Sequence, residues 1–162
     1  IGSHPHVIQP MEYSKKNNYE FLTVFSLGNF ISNQREERKD GGAMVRLSFQ
    51  KIENNIFISR KEYIPVWVHK FMEKEKYHFQ ILPCARPIYN ENYFSNKKDF
   101  QKMKTFLENT RSFLNKNNLG IKEGLPYGVI GFKPITILKS QVPELRKLGF
   151  ERKKTKRRNR GK

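Results

Sequence analysis

The pattern of hydrophobic and polar residues predicts a set of β-strands in the first half of the chain. Residues 20–25 form a nearly continuous apolar run, which is typical of a strand buried on both faces. Residues 43–49 alternate between apolar and polar positions, as a half-buried strand does. The polar residues 53–55 predict a turn into a second strand over residues 56–64. Residues 43–64 are therefore expected to form an antiparallel hairpin.

Further extended segments flank this hairpin. Residues 11–18 are polar and end in a Lys-Lys-Asn-Asn turn signal. Pro65 is expected to break or bulge the strand ladder, because proline has no backbone N–H to donate. Residues 66–71 continue extended after it, and residues 77–82 return as another strand after a charged turn at 73–76.

The segment after residue 95 has the apolar spacing of an amphipathic helix. Asn96 suits the N-cap, and Asp99 suits both a capping box and the positive end of the helix dipole. The helix is expected to end near residues 117–118, with Gly120 beyond it. An apolar stripe at spacings of three and four should face the sheet: Phe100, Met103, Leu107, Thr110 and Leu114. The predicted fold class is α+β, with mostly antiparallel strands and one helix.

The last third of the chain has no recognisable motif. Residues 118–145 are rich in proline and glycine and are predicted to be a loop-rich extension, with short strands at 129–130 and 135–138. Residues 146–162 carry ten basic side chains and one acid and contain few apolar residues, so we expect a disordered basic tail.

Charge and composition limit the function less than the motifs do. The formal net charge is +17, of which residues 146–162 supply +9. This excess fits either a lysine-rich composition with no specific role or attraction to a polyanion such as nucleic acid, an anionic membrane surface or polyglutamate. Cys84 is the only cysteine, which excludes an intrachain disulfide, and no apolar run is long enough to span a bilayer.

Candidate metal ligands stand near the start of the chain. His4 and His6 flank Pro5, which favours an extended conformation at the residue before it. In an extended segment, residues two apart point to the same side, so both imidazoles could face one metal or a close metal pair. Gly2 would allow the backbone to turn tightly into such a site. The alternatives for such a lone His-x-His are a solvated loop or the Gly-Ser-His run of an expression tag.

A second set of candidates follows the apolar run at 20–25. Asn29 lies at the predicted end of that strand, where its amide could bind a phosphate-like oxygen or orient a ligand histidine; alternatively, Gly28-Asn29 simply forms a turn. Gln9 and Gln34 are similar candidates. The charged loop at 33–42 could lie over the site with its arginines available to an anion, or could be a solvated loop. Elsewhere, His69 and His78 are interpreted as surface or cross-strand residues, and Cys84 as packing.

Three segments together resemble one family. Residues 2–10 (Gly-Ser-His-Pro-His-Val-Ile-Gln-Pro), residues 24–35 (Val-Phe-Ser-Leu-Gly-Asn-Phe-Ile-Ser-Asn-Gln-Arg) and residues 40–46 (Asp-Gly-Gly-Ala-Met-Val-Arg) are similar to the C-terminal part of the CapA family. These are bacterial capsule, or poly-γ-glutamate, synthesis proteins with the fold of calcineurin-like metallophosphoesterases. The resemblance continues through residues 77–84 and the following helix and covers residues 1–117.

The resemblance implies a site and a truncation. It implies the C-terminal half of a metallophosphoesterase-like sandwich, with an absent N-terminal half as partner. His4 and His6 would be the last pair of ligands to divalent metal ions (Mn, Zn or Fe), which polarise a phosphoryl oxygen and activate water for hydrolysis. The resemblance implies roles in substrate binding or in orienting ligands for Ser3, Gln9, Asn29 and Gln34. The substrate would be anionic, a phosphoester or a polyglutamate.

Two other functions remain open at this point. One is a polyanion-binding module that uses the basic tail and contacts nucleic acid without sequence specificity. The other is a catalytically silent fragment whose uncovered sheet edge invites association. A bacterial protein that is cytoplasmic or associated with the cell envelope would fit the resemblance, and the residues do not choose between these locations.

Overall fold

The computed structural model describes residues 1–17, 19–126 and 135–138. In this part of the chain, two β-sheets, built mostly from antiparallel strands, and one long helix form an α+β fold, which confirms the predicted class. The elements are β1 (Met11–Lys16), β2 (Tyr19–Val24), β3 (Gly41–Ile52), β4 (Asn55–Glu73), β5 (Lys76–Pro83), a 3₁₀ helix (Glu91–Tyr93), α1 (Lys97–Asn117), β6 (Lys122–Glu123) and β7 (Ile135–Leu138).

The smaller sheet is the antiparallel hairpin β1–β2, in which Met11 pairs with Val24. The sequence predicted β2 but not β1, whose side chains are mostly polar. The expectation that the apolar run of β2 is buried on both faces is wrong. Val24 is buried, whereas Phe21 and Phe25 are 51% and 46% exposed. Alternate residues of a strand point to opposite faces, so this hairpin covers the core with one face only.

The larger sheet is organised around β4. Its strand order is β3–β4–β5–β7 with antiparallel neighbours, and the predicted hairpin of β3 and β4 is confirmed. β5 pairs with β4 only from Val66 onward. On the edge that β5 leaves open, β6 pairs with β4 in parallel through Glu62 and Tyr63. A two-residue strand of this kind has no detectable sequence pattern, and the sequence did not predict it.

Pro65 does not interrupt β4, contrary to the prediction. It lies opposite Ala43, whose N–H is directed away from β4 to the carbonyl of Leu27 at 2.8 Å. Its own carbonyl accepts from Cys84 N at 3.0 Å, just beyond the last residue pair of β4 and β5. No ladder bond therefore needs the missing proline N–H. The irregularity in the β3–β4 ladder lies instead between Ser48 and Phe49.

The two faces of β4 belong to two hydrophobic clusters. Tyr63 and Trp67 share the main core with buried residues of α1, while Val66 and Val68 pack with Phe79 and other residues of the second cluster. The helix approaches the sheet closely, because a Cβ at Gly41 would lie 2.5 Å from the ring of Phe106. The residue at this position must therefore be glycine for α1 to pack as it does.

The predicted helix is confirmed with its cap. The Asn96 side chain accepts from Lys98 N at 3.0 Å, and the helix ends at Asn117 with Gly120 in the left-handed region beyond it. The predicted stripe was only partly right, since Phe100 and Leu107 are partly buried and Phe106 was missed. The fully buried helix positions are Met103, Phe106, Thr110 and Leu114.

His69 is buried and not at the surface, so that part of its interpretation is wrong. Its ring stacks on Trp67 and Phe71, and its Nε2 lies 3.5 Å from a carboxylate oxygen of Asp99 on α1. Nδ1 is buried and has no hydrogen-bond partner among the residues that the structure describes. His78, in contrast, stacks across the strands on Phe71, as predicted for a cross-strand histidine.

Some predictions concern residues outside the described part of the chain. The strand at 135–138 is confirmed as β7, but the strand at 129–130 and the disordered tail at 146–162 lie outside it. The proposed boundary at residue 117 stays a prediction. Directly after α1, Ile121 is buried in the main core. No helix in the described residues is long and apolar enough to cross a membrane.

Leu114→Ala should test the packing of α1. Leu114 is fully buried, so its truncation leaves a cavity and should lower the free energy of unfolding by about 2–5 kcal/mol. Leu119→Ala is the matched control, since Leu119 is 60% exposed and should change stability by less than about 0.5 kcal/mol. Chemical denaturation measures both values. Equal losses in the two variants would contradict this packing.

The stability of the chain should depend on pH through His69. Burial lowers the pKa of His69 from its ordinary value of 6.5, with Arg35 adding to the shift and Asp99 opposing it. Below about pH 6.5 the unfolded state therefore binds more protons than the folded state does. The stability that neutral His69 contributes above this pH is lost as the pH falls through the pKa of His69 in the folded state. We expect His69→Phe, which keeps the ring stacking, to lose less stability than the wild type between about pH 7.5 and about pH 5. Identical pH profiles in denaturation experiments would refute this.

Candidate functional site

The candidate site forms where the first nine residues lie against the chain segment after β2. Gly2 N donates to Val24 O at 2.8 Å, and Gly2 O accepts from Leu27 N at 2.9 Å. Gln9 N then donates to Ser26 O at 3.0 Å. The loop that carries both histidines is thus held by backbone hydrogen bonds on either side.

Gly2 is required here by close approach. A Cβ at this position would lie 2.3 Å from the carbonyl oxygen of Phe25, which real side chains do not tolerate. The prediction assigned Gly2 a role in a tight turn. The structure gives a different reason for the same residue, because only glycine lets the two backbones lie this close.

The expectation of an extended His-Pro-His segment is wrong. His6 N donates to Ser3 O at 3.1 Å, which closes a turn over residues 3–6, and His6 has a φ of 60°. Non-glycine residues adopt this left-handed conformation infrequently, and they do so where the surrounding structure holds them there. Because the backbone is not extended here, it does not direct both imidazoles to the same side as predicted. His4 is exposed, whereas His6 is half-buried.

Asn29 holds His6 in place. The Asn29 carboxamide is buried, and its Oδ1 lies 2.8 Å from His6 Nδ1. Its Nδ2 donates to Gln34 Oε1 at 2.8 Å and to the carbonyl of Lys39 at 2.7 Å. The preceding Gly28 has a φ of 71°, as a turn at Gly28-Asn29 requires. This turn and the contact between Asn29 and His6 were predicted as alternatives, and the structure contains both.

This network determines which nitrogen of His6 carries the proton. A backbone carbonyl can only accept, so the group that faces Lys39 O must be the NH₂ of Asn29. The oxygen of Asn29 then faces His6, and Nδ1 of His6 must be the donor. In the neutral ring, Nε2 keeps its lone pair. An imidazole whose other nitrogen donates to a fixed acceptor is the usual arrangement of a metal ligand.

The loop after Asn29 returns to the same amide. Gln34 and Lys39 both contact Asn29, and residues 35–38 lie between them. Arg35 donates to the carbonyls of Val68 and Ser32, both at 2.6 Å. This loop had two interpretations, as a cover over the site or as a solvated loop. The structure ties it to the site through Asn29.

The remaining predicted residues contribute through their backbones. Ser3 is exposed and supplies the carbonyl that closes the turn, and Gln9 is half-buried and bonds Ser26 through its N–H. The prediction overlooked Ser26, which is fully buried and whose hydroxyl accepts from Gly28 N at 3.1 Å. A serine two residues before a glycine turn is the signal that could have found it.

Other reactive groups do not join this site. Cys84 is buried in the main core, and burial raises the pKa of its thiol, in keeping with the packing role predicted for it. Within the residues described, no three side chains of the types His, Cys, Asp and Glu are grouped to hold a metal ion. His4 and His6 are thus the nitrogen donors available in this loop.

Comparison with known proteins gives one similarity. A family model described as Bacterial capsule synthesis protein PGA_cap matches residues 1–34 of the 162. No curated protein and no solved structure matches the chain. The chain is therefore similar to the capsule synthesis family over the segment that contains both histidines and Asn29.

The proton position on His6 can be measured. The ring ¹⁵N chemical shifts of His6, recorded where the imidazole is neutral, should show a protonated Nδ1 and an unprotonated Nε2 in the wild type. Asn29→Asp should keep this form, because a carboxylate also accepts from Nδ1. Asn29→Ala should give a mixture of both tautomers. A wild-type ring protonated on Nε2 would contradict the network.

Proposed function

We propose that the chain belongs to a metal-dependent phosphoesterase-type protein of bacterial capsule synthesis, in which His6 and His4 bind a divalent metal ion. The observation that supports this most is the hydrogen bond from His6 Nδ1 to Asn29, because it leaves Nε2 of a restrained imidazole as a lone-pair donor. The similarity of residues 1–34 to the capsule synthesis family supports the same function.

The donor set fits a metal ion in kind but is incomplete. Imidazole nitrogen binds Zn²⁺ and Fe²⁺ well, and Mn²⁺ accepts it beside oxygen ligands. His6 is restrained and half-buried, whereas His4 is exposed and would have to turn toward the same ion. Since the described residues provide no third His, Cys, Asp or Glu in this group, water or further protein ligands would complete the coordination. We therefore expect weak metal affinity and little phosphatase activity from this chain alone.

The roles of the protein groups follow from their contacts. Asn29 accepts from Nδ1 of His6, which restrains the ring and leaves the lone pair on Nε2. The turn over residues 3–6 holds the backbone that carries both His4 and His6. A divalent ion, when bound, polarises a phosphoryl oxygen and lowers the pKa of water. An anionic substrate, whether a phosphoester or a polyglutamate, suits a chain of net charge +17.

Polyanion binding through residues 146–162 is the alternative function. These residues lie outside the described part of the chain, and only their charge supports the idea. Nucleic-acid binding that disappears entirely when residues 146–162 are deleted would mean that the tail binds non-specifically and that the folded part has no recognition site.

Metal titration tests the proposed site. The wild-type chain should bind Zn²⁺ or Mn²⁺ weakly, and the His4→Ala/His6→Ala double variant should lose this binding. Asn29→Ala should weaken it by about 10- to 100-fold, because the ring is then no longer oriented. Calorimetry or line broadening of the His6 resonances by Mn²⁺ measures the affinity.

His78→Ala is the matched control for removing a histidine. His78 lies on β5 and stacks on Phe71, so its loss should leave metal affinity within about twofold of the wild type. Unchanged metal binding after removal of both His4 and His6 would refute the proposed ligands. Equal losses in His78→Ala would show that the metal binds histidines without a site.

A further inference from the structure

A cavity of about 330 Å³ lies between the loop after Asn29 and helix α1. Ile8, Phe106 and Phe113 provide the apolar part of its lining, and Arg35 and Arg38 bring two guanidinium groups to it. The other lining residues are polar or charged, so the cavity combines a small apolar surface with charged groups that could orient a ligand. No role in the proposed metal chemistry accounts for it.

Among the described residues, no carboxylate lies within ion-pair distance of the Arg35 guanidinium. Its two hydrogen bonds are to the neutral carbonyls of Val68 and Ser32. Part of the side chain is exposed, but the guanidinium lies against the backbone, and this desolvation lowers the pKa of Arg35 although Asp40 and Asp99 oppose the shift. Three of its five N–H donors remain for another acceptor.

Arg38 is held toward the same cavity by an unusual backbone. Its φ is 66°, in the left-handed region, and its guanidinium lies 5.3 Å from the ring centre of Phe113 on α1. Contact with an aromatic face orients the guanidinium and leaves its positive charge in place.

The acidic residues of the cavity are already engaged. Asp40 accepts from Trp67 Nε1 at 2.7 Å, and Glu37 lies 3.4 Å from the amide nitrogen of Asn109. Lys102 also lines the cavity and lies 3.8 Å from Asp99. Counting three cations against two acids, the lining carries a net positive charge.

The loop that carries both arginines is closed by one side chain. The NH₂ group of Asn29 donates to Gln34 and to Lys39, which stand immediately before Arg35 and immediately after Arg38. Lys39 N also donates to Glu36 O at 3.0 Å. The loop on either side of the two arginines is therefore restrained before any ligand binds, which lowers the entropic cost of binding.

We propose that this cavity binds a small ligand that combines a phosphate- or carboxylate-type anion with an apolar group. Arg35 and Arg38 bind the anion, and Ile8, Phe106 and Phe113 contact the apolar group. Guanidinium groups suit such anions because their planar donors match two oxygens at once. The proposal needs no metal ion and goes beyond the function proposed for His4 and His6.

Phenylphosphonate and methylphosphonate are suitable probes, because they share the anion and differ in the apolar group. The full chain is titrated with each in metal-free buffer at constant ionic strength and followed by ¹H–¹⁵N NMR. We expect saturable shifts at residues 35–38 and at Thr105 and Asn109 of α1, with phenylphosphonate binding about tenfold more tightly. Arg35→Gln/Arg38→Gln should weaken binding at least about tenfold.

Two further variants keep the test decisive. Arg60→Gln/Lys104→Gln also removes two positive charges, one on β4 and one on α1, and neither residue lines the cavity. This variant should change the affinity for phenylphosphonate by less than about twofold. Arg38→Gln alone spares the backbone contacts of Arg35 and should still weaken binding several-fold. The proposal would be overturned if both double variants weakened binding equally, if the two probes bound with equal affinity, or if the shifts were confined to the basic residues 146–162. The Arg35→Gln/Arg38→Gln variant should bind Zn²⁺ as tightly as the wild type does. Loss of anion binding can therefore be distinguished from loss of metal binding at His6.

Discussion

The site depends on the hydrogen bonds of a single buried carboxamide. Asn29 has one acceptor oxygen and two N–H donors, and the protein uses all of them, at His6, Gln34 and Lys39. The carbonyl of Lys39 fixes the orientation of the amide, and the orientation fixes the proton on His6. The same amide closes the loop that carries Arg35 and Arg38. Neither aspartate, which lacks the donors, nor a longer glutamine would maintain all three contacts in this geometry.

The larger sheet holds Asn29 where these contacts are possible. Asn29 N donates to Gly41 O at 3.0 Å, and Ala43 N donates to Leu27 O at 2.8 Å, so the segment after β2 pairs with the start of β3. A Cβ at Gly42 would lie 2.7 Å from the carbonyl oxygens of both Leu27 and Asn29, so this approach requires glycine. The two sheets are therefore joined beside the candidate site, and the packing of β4 against α1 supports it.

Sequence patterns predicted the elements that local periodicity defines. The strand pair of β3 and β4, the strand β5 and the capped helix α1 were all expected, because their side chains repeat with the period of their secondary structure. The features that were missed depend on distant partners. The polar strand β1 exists because it pairs with β2, the strand β6 because one edge of β4 is open, and His69 is buried because Trp67 and Phe94 enclose it. Pro5 predicted an extended His4, but the turn depends on a hydrogen bond between Ser3 and His6 that no propensity describes.

The match to the capsule synthesis family covers the residues predicted for the site but only the smaller of the two sheets. Residues 1–34 contain all six residues predicted for the site: Ser3, His4, His6, Gln9, Asn29 and Gln34. The residues after position 34 supply the larger sheet, the helix α1 and most of the anion-binding cavity, whereas β1 and β2 lie within the matched segment. The histidines of the proposed metal site thus lie in the matched segment, and both arginines of the proposed anion site lie in the unmatched remainder. Arg38 and Phe113 belong to that remainder, and they come together only because α1 packs against the loop that Asn29 holds closed.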